Sequence, residues 1–252
     1  MQQYRAPRWL VGGNAQTIWP ALFVAQLAGP RPEFRRERWT TPDSDFIDVD
    51  WLETPQVGTS TSTPADAAAR PLLVLFHGLE GSSRSHYARA FADTARARGW
   101  GFALPHFRGC SSEINLAPRA YHSGDFEEIG WILERMRERW TGPIAAVGIS
   151  LGGNALLRWA EEAGETAAAA LSAVCAVSAP LNLAASGYAI GTGFNRHVYT
   201  RMFLRTMKSK ALQKWDQHPG LFDREVLQAA RDLYAFDDVF TAPLHGFRGT
   251  DD

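Results

Sequence analysis

Cysteine is nearly absent from this 252-residue sequence: Cys110 and Cys175 are the only two, too few for a disulfide framework and at no spacing that suggests a metal site. A reducing, cytoplasmic setting fits that scarcity. An excess of charge of either sign is lacking too, because 26 basic against 27 acidic side chains leave a formal charge of -1. There is therefore no electrostatic footprint for nucleic acid or for an anionic surface, and the expected partner is a small, fairly neutral molecule. Long hydrophobic runs are also missing. The apolar stretch at residues 19–28 is too short to span a bilayer and lacks a small-residue cleavage pattern after a basic n-region. It reads as a helix packed on the core or the surface, which excludes an integral membrane segment and leaves room for a peripheral contact. Internal repeats are absent, and no pattern calls for a metal or an organic cofactor.

What is present suffices for one substantial core, since apolar residues make up 45% and aromatics 12% of the chain. Residues 46–51 alternate apolar and charged side chains, as a strand with one solvated face would. Residues 54–70 are rich in Thr, Ser, Ala and Pro without periodicity and read as a flexible connection. Then come three short apolar runs, 72–76, 101–105 and 144–149, with a fourth at 171–178. Helical patterns alternate with them. Between the second and third, Ile129, Ile132, Leu133, Met136 and Trp140 form one stripe, with Glu127, Glu134, Arg137 and Glu138 elsewhere. Near-continuous apolar strands alternating with helices predict a doubly wound, mostly parallel α/β sheet covered on both faces. Beyond Pro180 the pattern turns helical at 195–214 and 223–234, with no run resembling a buried strand. The organisation expected is a single domain: a core at about 36–182, a helical cap at about 183–247, and an N-terminal segment, 1–35, packed on the core.

Gly148-Ile149-Ser150-Leu151-Gly152 is the only G-x-S-x-G in the chain. It falls where the apolar run 144–149 meets the helical pattern 151–163. A nucleophilic serine on so sharp a strand-to-helix turn is held in a strained conformation, and the flanking glycines remove Cβ atoms that would block it. The hydroxyl would then stand at the carboxyl end of the sheet, where open α/β sheets bind ligands. The bland alternative is a serine that merely caps the helix. Acyl transfer also needs oxyanion donors. The amide of Leu151 at the helix start is one candidate, and that of Leu79, in the turn His77-Gly78-Leu79-Glu80-Gly81 after the first parallel run, is the other. His77 reads as a loop brace rather than a base. Arg108 is either an anchor for a substrate carboxylate or a brace paired with Glu113 or Asp125, and Asp125 itself is explained as a cap or first-turn acid.

Five motifs in order give the chain a family resemblance: Asn14-Ala15-Gln16-Thr17-Ile18, His77 to Gly81, Phe107-Arg108-Gly109-Cys110-Ser111, Tyr121-His122-Ser123-Gly124-Asp125, and the Ser150 turn followed by Gly153-Asn154. Together they resemble the YheT-like branch of the α/β-hydrolase superfamily, relatives of the mammalian ABHD lipases. Residues 238–247 resemble the stretch that closes that family's helical cap, while His106 stands where relatives carry Asn. The resemblance implies hydrolysis of carboxylic esters, lipid-like or short-chain, by a Ser-Asp-His triad of which only Ser150 is carried over. The Asp and His would follow later strands, after the cap, so the sequence is expected to stop short of them, with its last strands missing. Downstream of Ser150 stand His197, His218 and His245, and a surface or packing role is the simpler account of each.

The sequence thus predicts a serine esterase with Ser150 as nucleophile and the Leu79 and Leu151 amides as oxyanion donors. A serine-dependent acyltransferase or thioesterase would use the same parts. A binding module that has lost its chemistry is the alternative of a different class.

Overall fold

The computed structural model describes residues 5–24, 31–53 and 69–251. The expected connection at 54–70 lies mostly outside them, as does the end of the apolar run 19–28. A short helix, α1 (Gly12–Trp19), precedes strands β1 (Phe34–Thr40), β2 (Phe46–Leu52) and β3 (Leu72–Phe76). Next come α2 (His86–Ala97), β4 (Gly101–Pro105), α3 (Phe126–Arg139), β5 (Ile144–Ile149), α4 (Leu151–Ala163) and β6 (Ala173–Val177). The later helices are α5 (Leu183–Ile190), α6 (Arg201–Gln217) and α7 (Arg224–Ala229), followed by helical turns at Leu233–Phe236 and Ala242–Leu244.

The six strands form one sheet in the order β1-β2-β4-β3-β5-β6. β3, β4, β5 and β6 run parallel, and β1 and β2 are antiparallel additions at one side. Alternation along β3 shows how the layers are built. Leu72, Val74 and Phe76 join the cluster under α3 and α4 with Ile129, Ile132, Leu133, Met136, Leu156 and Trp159, while Leu73 and Leu75 pack on the other face against Ala88, Ala92 and Ala95 of α2. Burying one such leucine contributes about 1.5–3 kcal/mol, so the central strand, buried along its whole length, is firmly held from both faces.

Three expectations need correction. First, β1 was not anticipated, because Phe34-Arg35-Arg36-Glu37-Arg38-Trp39-Thr40 is too charged to read as a strand; it begins inside the segment expected to be merely packed on the core. Second, β2 has no solvated face: its carboxylates Asp48 and Asp50 are buried. β1 is the reason, since the Arg36 fork meets Asp50 at 2.7 and 2.9 Å and that of Arg38 meets Asp48 at 2.8 and 2.8 Å. Buried carboxylates are tolerated when such bidentate pairs replace water. Burial alone would raise the Asp50 carboxyl, but Arg36, His106 and Ser83 outweigh it and hold it far below the usual range. Third, β6 is not a buried strand; it pairs only with β5 among the described residues, and most of its side chains are exposed.

From residue 183 to 244 the described chain contains helices and turns only. They carry an apolar cluster of their own, including Leu204, Ala211, Leu227, Phe236 and Phe240. The segment is tied to the sheet side by α6. Lys214 donates to the carbonyls of Asn115 and Ala117, and the His218 ring bonds the Leu116 carbonyl at 2.8 Å.

Candidate active site

Ser150 alone makes the turn between β5 and α4, with φ 52° and ψ −118°. A residue with a Cβ rarely occupies that region, at a cost of about 1–3 kcal/mol. The surrounding bonds leave it little freedom to relax: its N–H donates to the Val177 carbonyl at 2.9 Å, and its carbonyl accepts from the Asn154 N–H at 3.1 Å. The glycines explain how strand and helix approach so closely. A Cβ added at Gly148 would stand 2.4 Å from the Gly152 carbonyl oxygen, and one at Gly152 would stand 2.4 Å from that of His77.

The turn opens on a cleft of about 1920 Å³. Leu79, Gly109, Ser150 and Ser178 all line it, and each lies just beyond the carboxyl end of a parallel strand. The opposite wall comes from the helical segment, with Tyr188, Phe203, Met207, Phe236 and Phe240.

The turn after β3 passes directly beside the serine, since a Cβ on Gly78 would be 3.3 Å from the Ser150 Cβ. Its amides are accounted for one by one. Gly78 N–H donates to the Tyr87 hydroxyl at 3.1 Å, Glu80 N–H to the Tyr121 hydroxyl at 2.9 Å, and Gly81 N–H to the Gly78 carbonyl at 2.9 Å. Leu79 N–H has no acceptor among the described residues, nor has Leu151 N–H at the first position of α4. Two unspent donors therefore flank Ser150, one on a braced turn and one at the positive end of a helix.

His77 is wholly buried and braces that turn. Its Nε2 accepts from Phe107 N–H at 3.1 Å, so Nδ1 carries the proton and donates to the Gly78 carbonyl at 2.8 Å. Burial, aided by nearby His106, pushes its pKa down to about 3 and keeps the ring neutral. Arg108 is a brace as well, but its partners differ from those expected: Asp43 and Asp45 at 2.8 Å and Glu128 at 2.5 Å, rather than Glu113 or Asp125. The sequence concealed this because Asp43 and Asp45 lie in the β1–β2 turn, some 65 residues away. Asp125 sits at the start of α3 but makes no side-chain cap bond; its carboxylate accepts from Arg119 at 2.8 Å.

Of the downstream histidines, His197 is exposed and His218 bonds the Leu116 carbonyl. His245 lines the cleft with its ring 4.3 Å from that of His122, its Nε2 unpartnered and its pKa pushed down to about 4, mainly by burial. No described group hydrogen-bonds the Ser150 hydroxyl. Nor does any group of three or more His, Cys, Asp or Glu among the described residues have the arrangement to hold a metal ion.

Sequence reasoning overlooked Tyr87, Tyr121 and Lys210 as supports of the turn. Tyr121 had a signal, since it opens one of the five motifs. Lys210 had none, because its Nζ reaches the Glu80 carboxylate, at 2.8 Å, from 130 residues away.

A sequence profile described as the alpha/beta hydrolase fold matches residues 71–201. The chain is 40% identical over 237 residues to YheT, a proposed esterase of Escherichia coli (strain K12), the match covering 93% of this chain and 65% of that one. It is 23% identical over 252 residues to the phospholipase ABHD3 of Mus musculus, covering 100% and 59%. It thus spans less than two thirds of the length of these relatives. Among solved structures, the Pyrococcus furiosus esterase Pf2001 superimposes with a TM-score of 0.48 at 17% identity, over 74% of this chain and 67% of that one.

Proposed function

The chain belongs to the α/β-hydrolase family, and from that premise we propose that it hydrolyses carboxylic esters, acyl or lipid-like, through an acyl-enzyme on Ser150. The observation that carries the reading is the pair of unspent amides, Leu79 and Leu151, on either side of a serine held at φ 52° at the mouth of the cleft. In this reading the Ser150 oxygen attacks the ester carbonyl, and the negative charge that develops on the carbonyl oxygen is received by the two N–H groups. Each such donor contributes about 2.7–4 kcal/mol of transition-state stabilisation. The tetrahedral intermediate collapses with departure of the alcohol, and water then releases the acid from the acyl-enzyme.

The helical segment 183–247 acts in this proposal as a cap over the core of 36–182, with 1–35 packed alongside. Phe203, Met207, Phe236 and Phe240 would receive the apolar part of the substrate, as cleft walls of this composition do. The names of YheT and ABHD3, an esterase and a phospholipase, support ester chemistry. No described helix is long and apolar enough to cross a membrane, and a small-molecule ester in a cytoplasmic setting is the proposed context.

In this reading the triad's Asp and His would follow the cap, as the family resemblance implies, and the proposal assigns to the described residues only the nucleophile, Ser150, and the oxyanion donors, Leu79 and Leu151. The unpartnered Ser150 hydroxyl favours a second reading, a pocket that binds acyl compounds without turning them over. Fluorophosphonate labelling separates the two. Covalent labelling that is lost in Ser150→Ala, together with turnover of a p-nitrophenyl ester, supports the esterase. Saturable binding of the ester without labelling or turnover supports the binding module.

A further inference from the structure

We infer that Lys210 is a positioning residue for the oxyanion turn: from α6 it neutralises the Glu80 carboxylate and so fixes the backbone that presents the Leu79 amide. The inference rests on the ester-hydrolase reading for its catalytic consequence, but its geometry stands by itself.

Glu80 follows Leu79 directly and has φ 57°, a left-handed conformation in a residue that is not glycine. Its conformation is pinned through both its backbone and its side chain. The Tyr121 hydroxyl accepts from Glu80 N–H at 2.9 Å and donates to its Oε1 at 3.0 Å, while Lys210 Nζ donates to the same oxygen at 2.8 Å. Tyr121 cannot drift, because its ring stacks on Phe107 at 5.2 Å with 6° between the planes, and Phe107 is the residue whose N–H holds His77. One connected frame therefore encloses Leu79. His77 and Tyr87 fix the residue before it, and Tyr121 and Lys210 the residue after it.

Lys210 is the only member of that frame supplied by the helical segment. It also donates to Cys110 Sγ at 3.3 Å. Burial disfavours its ammonium, but Cys110 and Glu80 outweigh this and hold its pKa above the ordinary lysine value. The Glu80 side chain is 9% exposed, so without Lys210 a carboxylate would remain buried and unpaired one residue from the place where the substrate's oxygen becomes negative. That removes an attraction and leaves a like charge uncompensated, both felt in the transition state rather than on binding.

The experiment compares wild type, Lys210→Met, Lys210→Arg and the double variant Lys210→Met/Glu80→Gln. Two readouts are taken: the saturation kinetics of Ser150 labelling by a fluorophosphonate, and the hydrogen exchange of a peptide covering residues 77–81. Lys210→Met is expected to slow the labelling step about 10- to 100-fold, the scale of a misplaced oxyanion donor, with little change in the probe's saturation constant, and to speed exchange of the 77–81 peptide. Lys210→Arg restores most of the rate. The double variant also recovers it, because a neutral Gln still accepts from Tyr121 and leaves no stray charge; a role confined to packing would not be rescued in this way. Unchanged labelling and exchange in Lys210→Met overturn the inference, and so does a loss of labelling that the double variant fails to rescue. If wild type itself is not labelled, the ester-hydrolase reading falls, and the strut is judged on exchange alone: faster in Lys210→Met it stands, unchanged it falls.

Discussion

Replacing Ser150 by glycine should stabilise this protein even as it removes the proposed nucleophile. At φ 52° and ψ −118° any residue with a Cβ is strained by about 1–3 kcal/mol. The bonds to Val177 and Asn154 persist whatever side chain is present, so the backbone has no route to relax. Ser150→Ala therefore keeps the strain and Ser150→Gly releases it. Against that gain stands the larger conformational entropy of glycine in the unfolded chain, about 0.5–1 kcal/mol. The balance should leave Ser150→Gly about 1 kcal/mol more stable than Ser150→Ala, which for a chain of this size corresponds to roughly 2–4 °C in Tm. Differential scanning calorimetry of the two variants, both of which lack the proposed nucleophile, makes the comparison. If Ser150→Gly melts at or below Ser150→Ala, the turn is not strained, and the case for a nucleophile held under backbone tension loses its physical basis.

Three further outcomes follow from the same geometry. Gly152→Ala would drive a Cβ to 2.4 and 2.7 Å from the carbonyl oxygens of His77 and Phe76; because both are backbone atoms, a loss above about 3 kcal/mol in a urea titration is expected, and a loss below 1 kcal/mol would contradict the packing described. Arg108→Met leaves Asp45 and Glu128, with side chains 0% and 3% exposed, without their shared cation, and should cost about 3–5 kcal/mol, measured the same way. The pH dependence has a definite sign. His77 has a folded pKa of about 3 against about 6.5 unfolded, so its contribution is whole above pH 6.5 and is lost as pH falls toward 3, amounting to about 2 kcal/mol by pH 5. Asp48 and Asp50, whose pKa values are lowered mainly by Arg38 and Arg36, add their losses only below about pH 3.9. Because Glu128 and Asp237, raised to about 7 and about 6 by burial, gain stability over the same interval and His245 loses it, the His77 contribution is read as the difference between wild type and His77→Gln: equal changes in urea midpoint between pH 7 and pH 5 would refute the neutral, buried His77.

The parallel strands and the Ser150 turn were legible because each is a local event: a short apolar run, a glycine pair, a helical stripe. β1 was not, since three arginines and a glutamate in seven residues make sense only beside Asp48 and Asp50, which sit on the next strand. The same holds for Arg108, whose partners lie in another turn and another helix, and for Lys210. Charge partnerships across the fold leave no period in the sequence. The solvated appearance of β2 and the buried appearance of β6 failed for one reason: composition reports what a strand could pack against, not what lies next to it.

Among the described residues β6 is the outermost strand on its side of the sheet, which has a bearing on how this 252-residue chain behaves in the tube. Cys175 is the middle residue of that strand and is exposed, with Val174 and Val177 beside it. Two chains meeting edge to edge with opposite polarity could align about this residue and bring their thiols within a few ångströms. Air would then turn a transient encounter into a covalent dimer. Preparations kept without reductant should accumulate a species of twice the mass on non-reducing gels, and Cys175→Ser should abolish it while Cys110→Ser does not.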